Sequence, residues 1–203
     1  MVHILSNMTE AATDTINQRI AQRVRLLRAE AGLSLAALAA RCGVSRSMIS
    51  LVERGESSPT AVVLEKLASG LGVALASLFD APQAPASPVA RAAQQPPWRD
   101  PASGYLRRNV SPAGFDSPIQ IVDVEFPAGA RVAYETGARE PLLHQQVWLL
   151  SGEIEVTWGD QTHRLQAGDC LAMTLDRPVG YHNPGLKPAR YAVVITGARS
   201  QRT

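Results

Sequence analysis

The chain has little of the residue types that mark secreted, membrane-bound or metal-holding proteins. Its 203 residues include only two cysteines and four histidines. The cysteines, Cys42 and Cys170, lie in different segments, and lone thiols of this kind are most often reduced core residues. No apolar run approaches the roughly 18 residues that a membrane-spanning helix needs. The N-terminal segment lacks the basic start and long apolar core of a secretory signal, so we expect a cytoplasmic protein with no membrane partner.

An excess of one charge is also missing. The chain carries 20 basic and 18 acidic residues, and its first 80 residues hold eight basic and seven acidic ones. A strongly basic domain would bind nucleic acid tightly whatever the base sequence. Any DNA recognition by this chain must therefore depend on geometry and on two copies acting together.

Composition and hydrophobic periodicity divide the chain into five segments. We expect a disordered tail over 1–14, a helical domain over 15–80, a linker over 81–104, a β-domain over 105–197 and a second tail over 198–203. The linker is rich in Pro, Ala, Ser and Gln and is predicted to be a semi-extended tether. Its one large apolar residue, Trp98, either docks on the following domain or marks a contact with a partner. The predicted fold class is therefore α+β, in two domains.

Apolar residues at three-four spacing predict five helices in the first domain. A helix over about 15–31 precedes two short helices within 34–55, and a helix over about 60–71 is followed by a last short one over 73–79. Five helices in about 65 residues make a complete small domain.

The segment SLAALAARCGVSRSMISLVERG, residues 34–55, predicts a helix-turn-helix. Each of its two helices has one apolar face, carried by residues such as Leu38 and Ile49. Gly43 lies between them, where a sharp turn often needs a positive φ, and Ser45 is a natural N-cap for the second helix. Polar side chains on the first exposed turn of that helix reach base edges in the DNA major groove. The pattern therefore indicates a protein that binds double-stranded DNA.

The polar residues of the second helix are the candidates for reading bases. Arg46 and Ser47 lie on its first turn and Ser50 one turn later, while Arg54 is better placed for a phosphate. Arginine can bind guanine O6 and N7 in a bidentate way. The alternative is that Arg46 and Arg54 are solvated surface charges, because many protein–DNA contacts involve the backbone instead of the bases.

Residues 16–80 resemble a lambda-repressor-like DNA-binding domain of the Xre (Cro/CI) family. The resemblance is carried by LLRAEAGLSLAALAARCGVSRSMISLVERGESSPT and LEKLASGLGVALASLF. It implies that Arg28 pairs with Glu53 to lock the first helix against the recognition helix. Leu35 departs from the pattern, because many relatives carry Gln there. The predicted DNA-binding residues are Ser34, Ser45, Arg46, Ser47, Ser50, Leu51, Arg54 and Thr60. Dimers of such domains bind half-sites about one helical turn apart, so we expect a homodimer and a palindromic operator.

Beyond residue 104 the hydrophobic period changes to two. Strands are predicted over 119–126, 145–150, 153–158 and 190–196, with Gly- and Pro-containing turns between them. Many short strands with no long helix are typical of a small β-barrel or jelly roll.

The segments PAGARV, HQQVWLLSGEIEV, HRLQAGDCLAM and DRPVGYHNPG resemble the two motif blocks of the cupin fold, a double-stranded β-helix barrel, over roughly residues 105–197. Metal-binding cupins use paired histidines, a glutamate and a further histidine, which suit a divalent transition metal. Here the glutamate position falls on Gln145, the paired histidines within 139–141 and the last histidine on Val179. The resemblance therefore implies no metal and no cofactor. His144 and His182 lie one and three residues out of register, and an odd shift turns a strand residue to the other face.

A barrel without metal ligands can still hold a small molecule among apolar side chains and a few polar groups. The alternating strand faces predict a pocket lined by Gln145, Val147, Met173, Val179 and Tyr181, with Arg131, Tyr134, His144 and His182 at its mouth. An arginine there would suit a carboxylate ligand. For each apolar residue taken singly, simple core packing is the alternative.

These observations predict a two-domain transcriptional regulator, without enzymatic activity, that binds operator DNA and senses a small-molecule effector. Two alternatives stay open. The barrel could serve only for dimerisation, with no ligand. It could instead be a metalloenzyme, such as a dioxygenase or isomerase, with a regulatory DNA-binding head.

Overall fold

The computed structural model describes residues 2–80, 87–115, 117–135 and 142–196, with side chains from residue 16 onward. Within these ranges a helical domain is followed by a β-domain, which confirms the predicted α+β arrangement. The predicted tail 198–203 lies outside the described residues.

The helical domain contains four α-helices instead of the predicted five. They are α1 (Val2–Glu30), α2 (Leu35–Cys42), α3 (Arg46–Glu53) and α4 (Ala61–Gly70), and the fifth predicted helix is a 3-10 turn over Leu75–Phe79. Helix α1 begins at Val2, whereas the sequence suggests a disordered tail to residue 14. Its sequence contains no Gly or Pro before Gly32, so nothing in it interrupts helical hydrogen bonding.

Apolar side chains from all four helices share one core. Its fully buried members include Ile20, Val24, Leu38, Ile49 and Leu64. Helix α4 lies so close to α2 that a Cβ on Gly70 would come within 2.7 Å of the Cys42 Cβ. Glycine at this position therefore permits the close approach. No single described helix is long and apolar enough to cross a membrane, although α2 and α3 meet the length and composition test together as a pair bent by 114°.

The described residues of the β-domain form ten antiparallel strands in two sheets. One sheet has the order β1-β2-β3-β10-β5-β8 and the other β4-β9-β6-β7, which is the arrangement of a double-stranded β-helix. The strands are β1 (Trp98–Arg99), β2 (Leu106–Asn109), β3 (Ile119–Phe126), β4 (Arg131–Tyr134), β5 (His144–Ser151), β6 (Glu153–Trp158), β7 (Gln161–Gln166), β8 (Cys170–Thr174), β9 (Val179–His182) and β10 (Ala189–Thr196). Strands β3 and β6 have the predicted bounds, while β5 and β10 are slightly longer. Strand alternation turns Cys170 outward, so it is exposed and not a core residue.

Part of the predicted tether is packed structure. Residues 87–104 include strand β1, and its Trp98 is only 2% exposed. The indole packs edge-on against Phe79 at 5.4 Å between ring centroids, and against Tyr105 at 6.0 Å. Phe79 ends the helical domain and Tyr105 begins the barrel. Trp98 thus docks on both domains, and this contact is the reason why the segment does not behave as its Pro-rich composition suggests.

Polar contacts hold the two domains together around this aromatic cluster. Asp100 is buried, and one of its carboxylate oxygens accepts a hydrogen bond of 2.9 Å from the Ala61 N–H, in the first turn of α4. The Asn109 amide donates to the Ala76 carbonyl at 2.8 Å. Lys66 pairs with Glu135 at 2.9 Å. We call this boundary, from Phe79 through Trp98, Asp100 and Tyr105, the domain seam.

The ion pair expected within the helical domain is present. The Arg28 guanidinium binds Glu53 in a bidentate way, with N···O distances of 2.6 and 2.7 Å, and also donates to the Leu33 carbonyl. The Glu53 side chain is only 8% exposed. The hydrogen bond with Glu53 raises the pKa of the Arg28 guanidinium. The pair therefore ties α1 to the last residue of α3.

We predict that Arg28→Ala lowers the free energy of unfolding by about 3 kcal/mol, because it leaves a largely buried carboxylate without its partner. Arg28→Lys recovers only part of this loss, since an ammonium cannot form both hydrogen bonds. Urea denaturation measures the effect. Arg25→Ala, at an exposed position of the same helix, is the control and should change stability by less than about 0.5 kcal/mol. Equal effects of the two alanine variants would contradict a structural role for the pair.

Candidate DNA-binding surface and barrel cavity

The turn before α3 is built as the sequence predicts. Gly43 has a φ of 66°, in the left-handed region, and closes α2. Ser45 then caps α3, because its hydroxyl oxygen accepts a hydrogen bond of 3.2 Å from the Met48 N–H. Ile49 and Val52 are buried against the other helices. With this face fixed, the opposite face of α3, including Arg46 and Ser47, lies in solvent.

The predicted DNA-binding residues lie on or beside this helix pair. Ser34, Ser45, Arg46, Ser47 and Arg54 are exposed, and Ser50, Leu51 and Thr60 are half-buried. Three of them cap helices: the hydroxyl oxygens of Ser34, Ser45 and Thr60 accept from the N–H groups of Ala37, Met48 and Val63. Each capping oxygen acts there as an acceptor, and the Ser45 hydroxyl is also hydrogen-bonded to the Ser47 hydroxyl at 3.1 Å.

Arg46, at the start of α3, and Arg54, just after its end, differ in their contacts. Arg54 donates to the Ser50 hydroxyl and pairs with Glu56 at 2.7 Å. None of the ion pairs formed by the described residues includes Arg46. Arg46 is thus exposed and outside these ion pairs, whereas the Arg54 guanidinium is already paired.

The barrel encloses a cavity of about 70 Å³. Most of its wall is apolar, and both sheets contribute to it. The helical domain contributes Glu65, Ala74 and Leu75 to the same wall. The barrel residues that line it are Tyr105, Arg107, Val122, Val124, Phe126, Val132, Tyr134, Gln145, Leu175, Val179, Tyr181, Tyr191, Val193 and Ile195.

The polar groups of the cavity are largely paired with one another. The Gln145 amide donates to the Tyr181 hydroxyl at 2.6 Å, and the hydroxyls of Tyr105 and Tyr134 are hydrogen-bonded at 3.1 Å. Burial raises the pKa of each of these three phenols and of Tyr191. Burial therefore favours the protonated form of all four phenols.

The structure brings some of the predicted pocket residues together and separates others. Tyr134, Gln145, Val179 and Tyr181 line the cavity. Val147 and Met173 are buried in the core but do not line it.

Three residues that we expected at the mouth point away from the cavity. Arg131 and His144 are exposed, and His182 is half-buried beside Glu155, at 2.8 Å. The reason is strand parity, because each is one residue away from an inward neighbour, such as Gln145 or Tyr181.

Sequence reasoning missed Tyr105, Arg107 and the three wall residues of the helical domain. Strand β2 has only four residues and was not predicted, although Tyr105 and Arg107 have the spacing of two residues that places side chains on one face. No local pattern indicates that Glu65, on a helix of the other domain, reaches the barrel.

The donor groups of the barrel do not fit a metal ion. Gln145 and Val179 line the cavity at the places where metal-binding cupins have a glutamate and a histidine, and valine offers no lone pair. Within the described parts of the chain no three His, Cys, Asp or Glu side chains converge as ligands would. The remaining candidate positions, 139–141, lie outside the described residues.

Known protein families match both the helical domain and the β-domain. Residues 24–78 match the family described as Helix-turn-helix (HTH_3), and residues 124–195 match the family described as Cupin domain (Cupin_2). The chain is an Xre-like helix-turn-helix protein with a C-terminal cupin domain.

Two of the similar proteins match over most of this chain, and a third matches over a shorter stretch. The HTH-type transcriptional regulator SutR of Escherichia coli (strain K12) is 25% identical over 177 residues, which are 87% of this chain and 94% of SutR. The crystal structure of an HTH_3 family transcriptional regulator from Vibrio cholerae is 26% identical, with a TM-score of 0.73 over 92% of this chain and 99% of that one. The HTH-type transcriptional regulator SinR of Bacillus subtilis (strain 168) is 39% identical over 62 residues, 30% of this chain and 56% of SinR.

In the cupin domain, we predict that Tyr181→Phe lowers the free energy of unfolding by about 1–3 kcal/mol, because it leaves the buried Gln145 amide without its acceptor. The double variant Tyr181→Phe with Gln145→Leu should cost less than the single one, since it removes both polar partners. Chemical denaturation of the four proteins of this cycle measures the coupling. Additive effects would show that the hydrogen bond contributes nothing.

Proposed function

We propose that this protein is a sequence-specific DNA-binding transcriptional regulator. The observation that carries the proposal is the first turn of α3, where Arg46 and Ser47 are exposed on a helix whose other face is locked into the core. The positive φ of Gly43 and the N-cap at Ser45 fix the orientation of α3 relative to α2. The names of SutR and SinR, both HTH-type transcriptional regulators, support the same function.

The surrounding polar groups fit the backbone of a duplex. Ser34, Ser45 and Thr60 present hydroxyls at the starts of three helices, where the helix dipole also favours a phosphate. Arg54 supplies a cation at the far end of α3. Such contacts set the register of the protein on DNA, and Arg46, Ser47, Ser50 and Leu51 then read the bases. A regulator of this kind acts in the cytoplasm, where its operator lies.

We predict that Arg46→Ala weakens binding to the preferred operator by about 5- to 150-fold, which corresponds to the loss of one bidentate contact with guanine. Binding to unrelated DNA should change little, because the phosphate contacts remain. The operator is first obtained by selection from random duplexes, and fluorescence anisotropy then gives both affinities.

Arg41→Ala is the matched control for Arg46, since Arg41 is an exposed arginine on α2 with none of the described ion pairs. An Arg46 variant that keeps full discrimination between operator and unrelated DNA would refute the assigned recognition helix.

The cupin domain also offers a surface for a second copy of the chain. On the outer face of the six-stranded sheet, apolar side chains occupy positions that normally carry polar residues. Val194 pairs with Ile121, and the neighbouring Ala192 pairs with Trp148, so these side chains adjoin across three strands. Trp148 is 49% exposed. We call this surface the outer patch; its members are Ile119, Ile121, Trp148, Leu150 and Val194.

A second copy is the occupant that best accounts for the outer patch. A two-fold axis through it would bury the same apolar side chains on both chains. The pair would also carry two α3 helices, which a palindromic operator with two half-sites requires. Homodimerisation through the outer patch therefore belongs to the proposed function.

We predict that Trp148→Glu converts the protein to a monomer at micromolar concentration, because two carboxylates would be buried near the axis. Sedimentation equilibrium gives the mass, and circular dichroism verifies the fold. Gln161→Glu introduces the same charge at an exposed position on the other sheet and should stay dimeric. A dimeric Trp148→Glu variant would rule out this patch as the interface.

The cavity supports a sensing role for the cupin domain. Its wall combines residues of the barrel with Glu65, Ala74 and Leu75 of the helical domain, so an occupant touches both domains at once. A ligand alters DNA affinity only if it prefers one arrangement of the DNA-binding domains over another. A site shared between the domains meets this requirement. The unsuitable donor set for a metal favours a sensor over a metalloenzyme.

A further inference from the structure

Arg107 is a buried cation in the wall of the cupin cavity, which Glu65 of the helical domain also lines. It lies on β2, is only 5% exposed and lines the cavity. Its Nε is buried with no hydrogen-bond partner, and none of the ion pairs formed by the described residues includes it. Arginine stays ionised at any physiological pH, and a buried charge is costly unless an opposite charge or hydrogen bonds compensate it. The Arg107 guanidinium can therefore bind an anion that enters the cavity.

The contacts that Arg107 does make hold it in place. Its guanidinium carbon lies 4.3 Å from the centre of the Phe79 ring, a cation–π contact across the domain seam. It also interacts with the Tyr105 hydroxyl. Neither contact involves Nε as a hydrogen-bond donor. The guanidinium is therefore held in place while its Nε–H can still donate to a ligand.

The remaining wall defines the rest of the ligand. The apolar side chains of Val122, Val193 and Ile195 line the cavity on β3 and β10, which follow β2 in the same sheet. A volume of about 70 Å³ is roughly five to seven times what one water requires, so the occupant is small. A planar carboxylate fits the fork of a guanidinium. The second negative charge of a phosphate would find no further cation among the described lining residues, which include Glu65.

We propose that the cavity binds a small aliphatic monocarboxylate, with the carboxylate on Arg107 and the hydrocarbon chain against the valine and isoleucine wall. This ligand class deepens the sensing role proposed above and rests on it for its regulatory meaning. In the helical domain, Phe79 contacts the guanidinium and Leu75 lines the cavity. A bound acid would therefore lie at the domain seam, where it can influence the DNA-binding domain.

The test uses the full-length protein with the sodium salts of propanoate, butanoate, pentanoate and hexanoate. The primary alcohols and amines of the same chain lengths serve as uncharged and cationic controls. Isothermal titration calorimetry gives the affinities. At a ligand concentration of a hundred times the Kd, the melting temperature of the protein should rise by about 5 °C or more. We expect at least one carboxylate to bind and the matched alcohols and amines not to bind. Equal binding of an alcohol or amine, or no binding of any carboxylate, overturns the proposal.

Two variants locate the site. Arg107→Met keeps an unbranched stem but removes the charge, and should weaken carboxylate binding by about 10- to 150-fold. Arg108→Met is the matched control, because Arg108 is the next residue of β2 and pairs instead with Asp123 on the outer face. Unchanged affinity of a folded Arg107→Met variant contradicts the proposal.

Val193→Phe keeps the proposal testable if the Arg107 variant fails to fold, since it fills the cavity and leaves the guanidinium in place. We expect it to lose carboxylate binding, and full binding would contradict the site.

Affinity for the selected operator, measured with and without the carboxylate, gives an independent readout. If the wild-type protein selects no DNA sequence, the regulatory function fails while the titration still decides the ligand class. If it binds its operator equally well with and without a bound carboxylate, the effector role fails and DNA recognition stands.

Discussion

The arrangement of the whole molecule depends on the domain seam. Trp98 is buried between Phe79 and Tyr105, the last aromatic residue of one domain and the first of the other. Burial of an indole on this scale contributes several kcal/mol, more than most single polar contacts. The seam holds α4 beside the barrel, so that Glu65 of this helix forms part of the cavity wall. The helical domain that carries α3 and the barrel that contains the cavity are thus joined through a few aromatic rings.

Local patterns made much of the fold predictable. The helix-turn-helix was found because its caps, its turn glycine and its two apolar faces are encoded within about twenty residues. Strands β3 and β6 were predicted with their observed bounds because apolar and polar residues alternate strictly along them. The linker was misjudged for the opposite reason. Its Pro-rich composition predicts a tether, but burial of Trp98 and Asp100 is decided by residues that lie far away in the sequence.

The cavity could be predicted only in part. Strand parity places Gln145 and Tyr181 inward, and the same parity turns Arg131 and His144 outward, although their chemistry looked suitable for a ligand. Arg107 was missed because β2 is too short to show an alternating pattern. Charged residues are also rarely buried, so sequence reasoning assigns them to the surface. Only the three-dimensional packing of β2 beneath Phe79 reveals that this arginine faces the interior.

The hydrogen bond from the Ala61 N–H to Asp100 has a consequence for how such proteins are divided and recombined. A backbone group in the first turn of α4 is satisfied by a carboxylate located 39 residues later, beyond the point where the helical domain ends. A fragment cut at residue 80 would lose this acceptor and expose the ring of Phe79. A chimaera that exchanges the barrel therefore keeps these contacts only if it carries the stretch through Tyr105 with the helical domain.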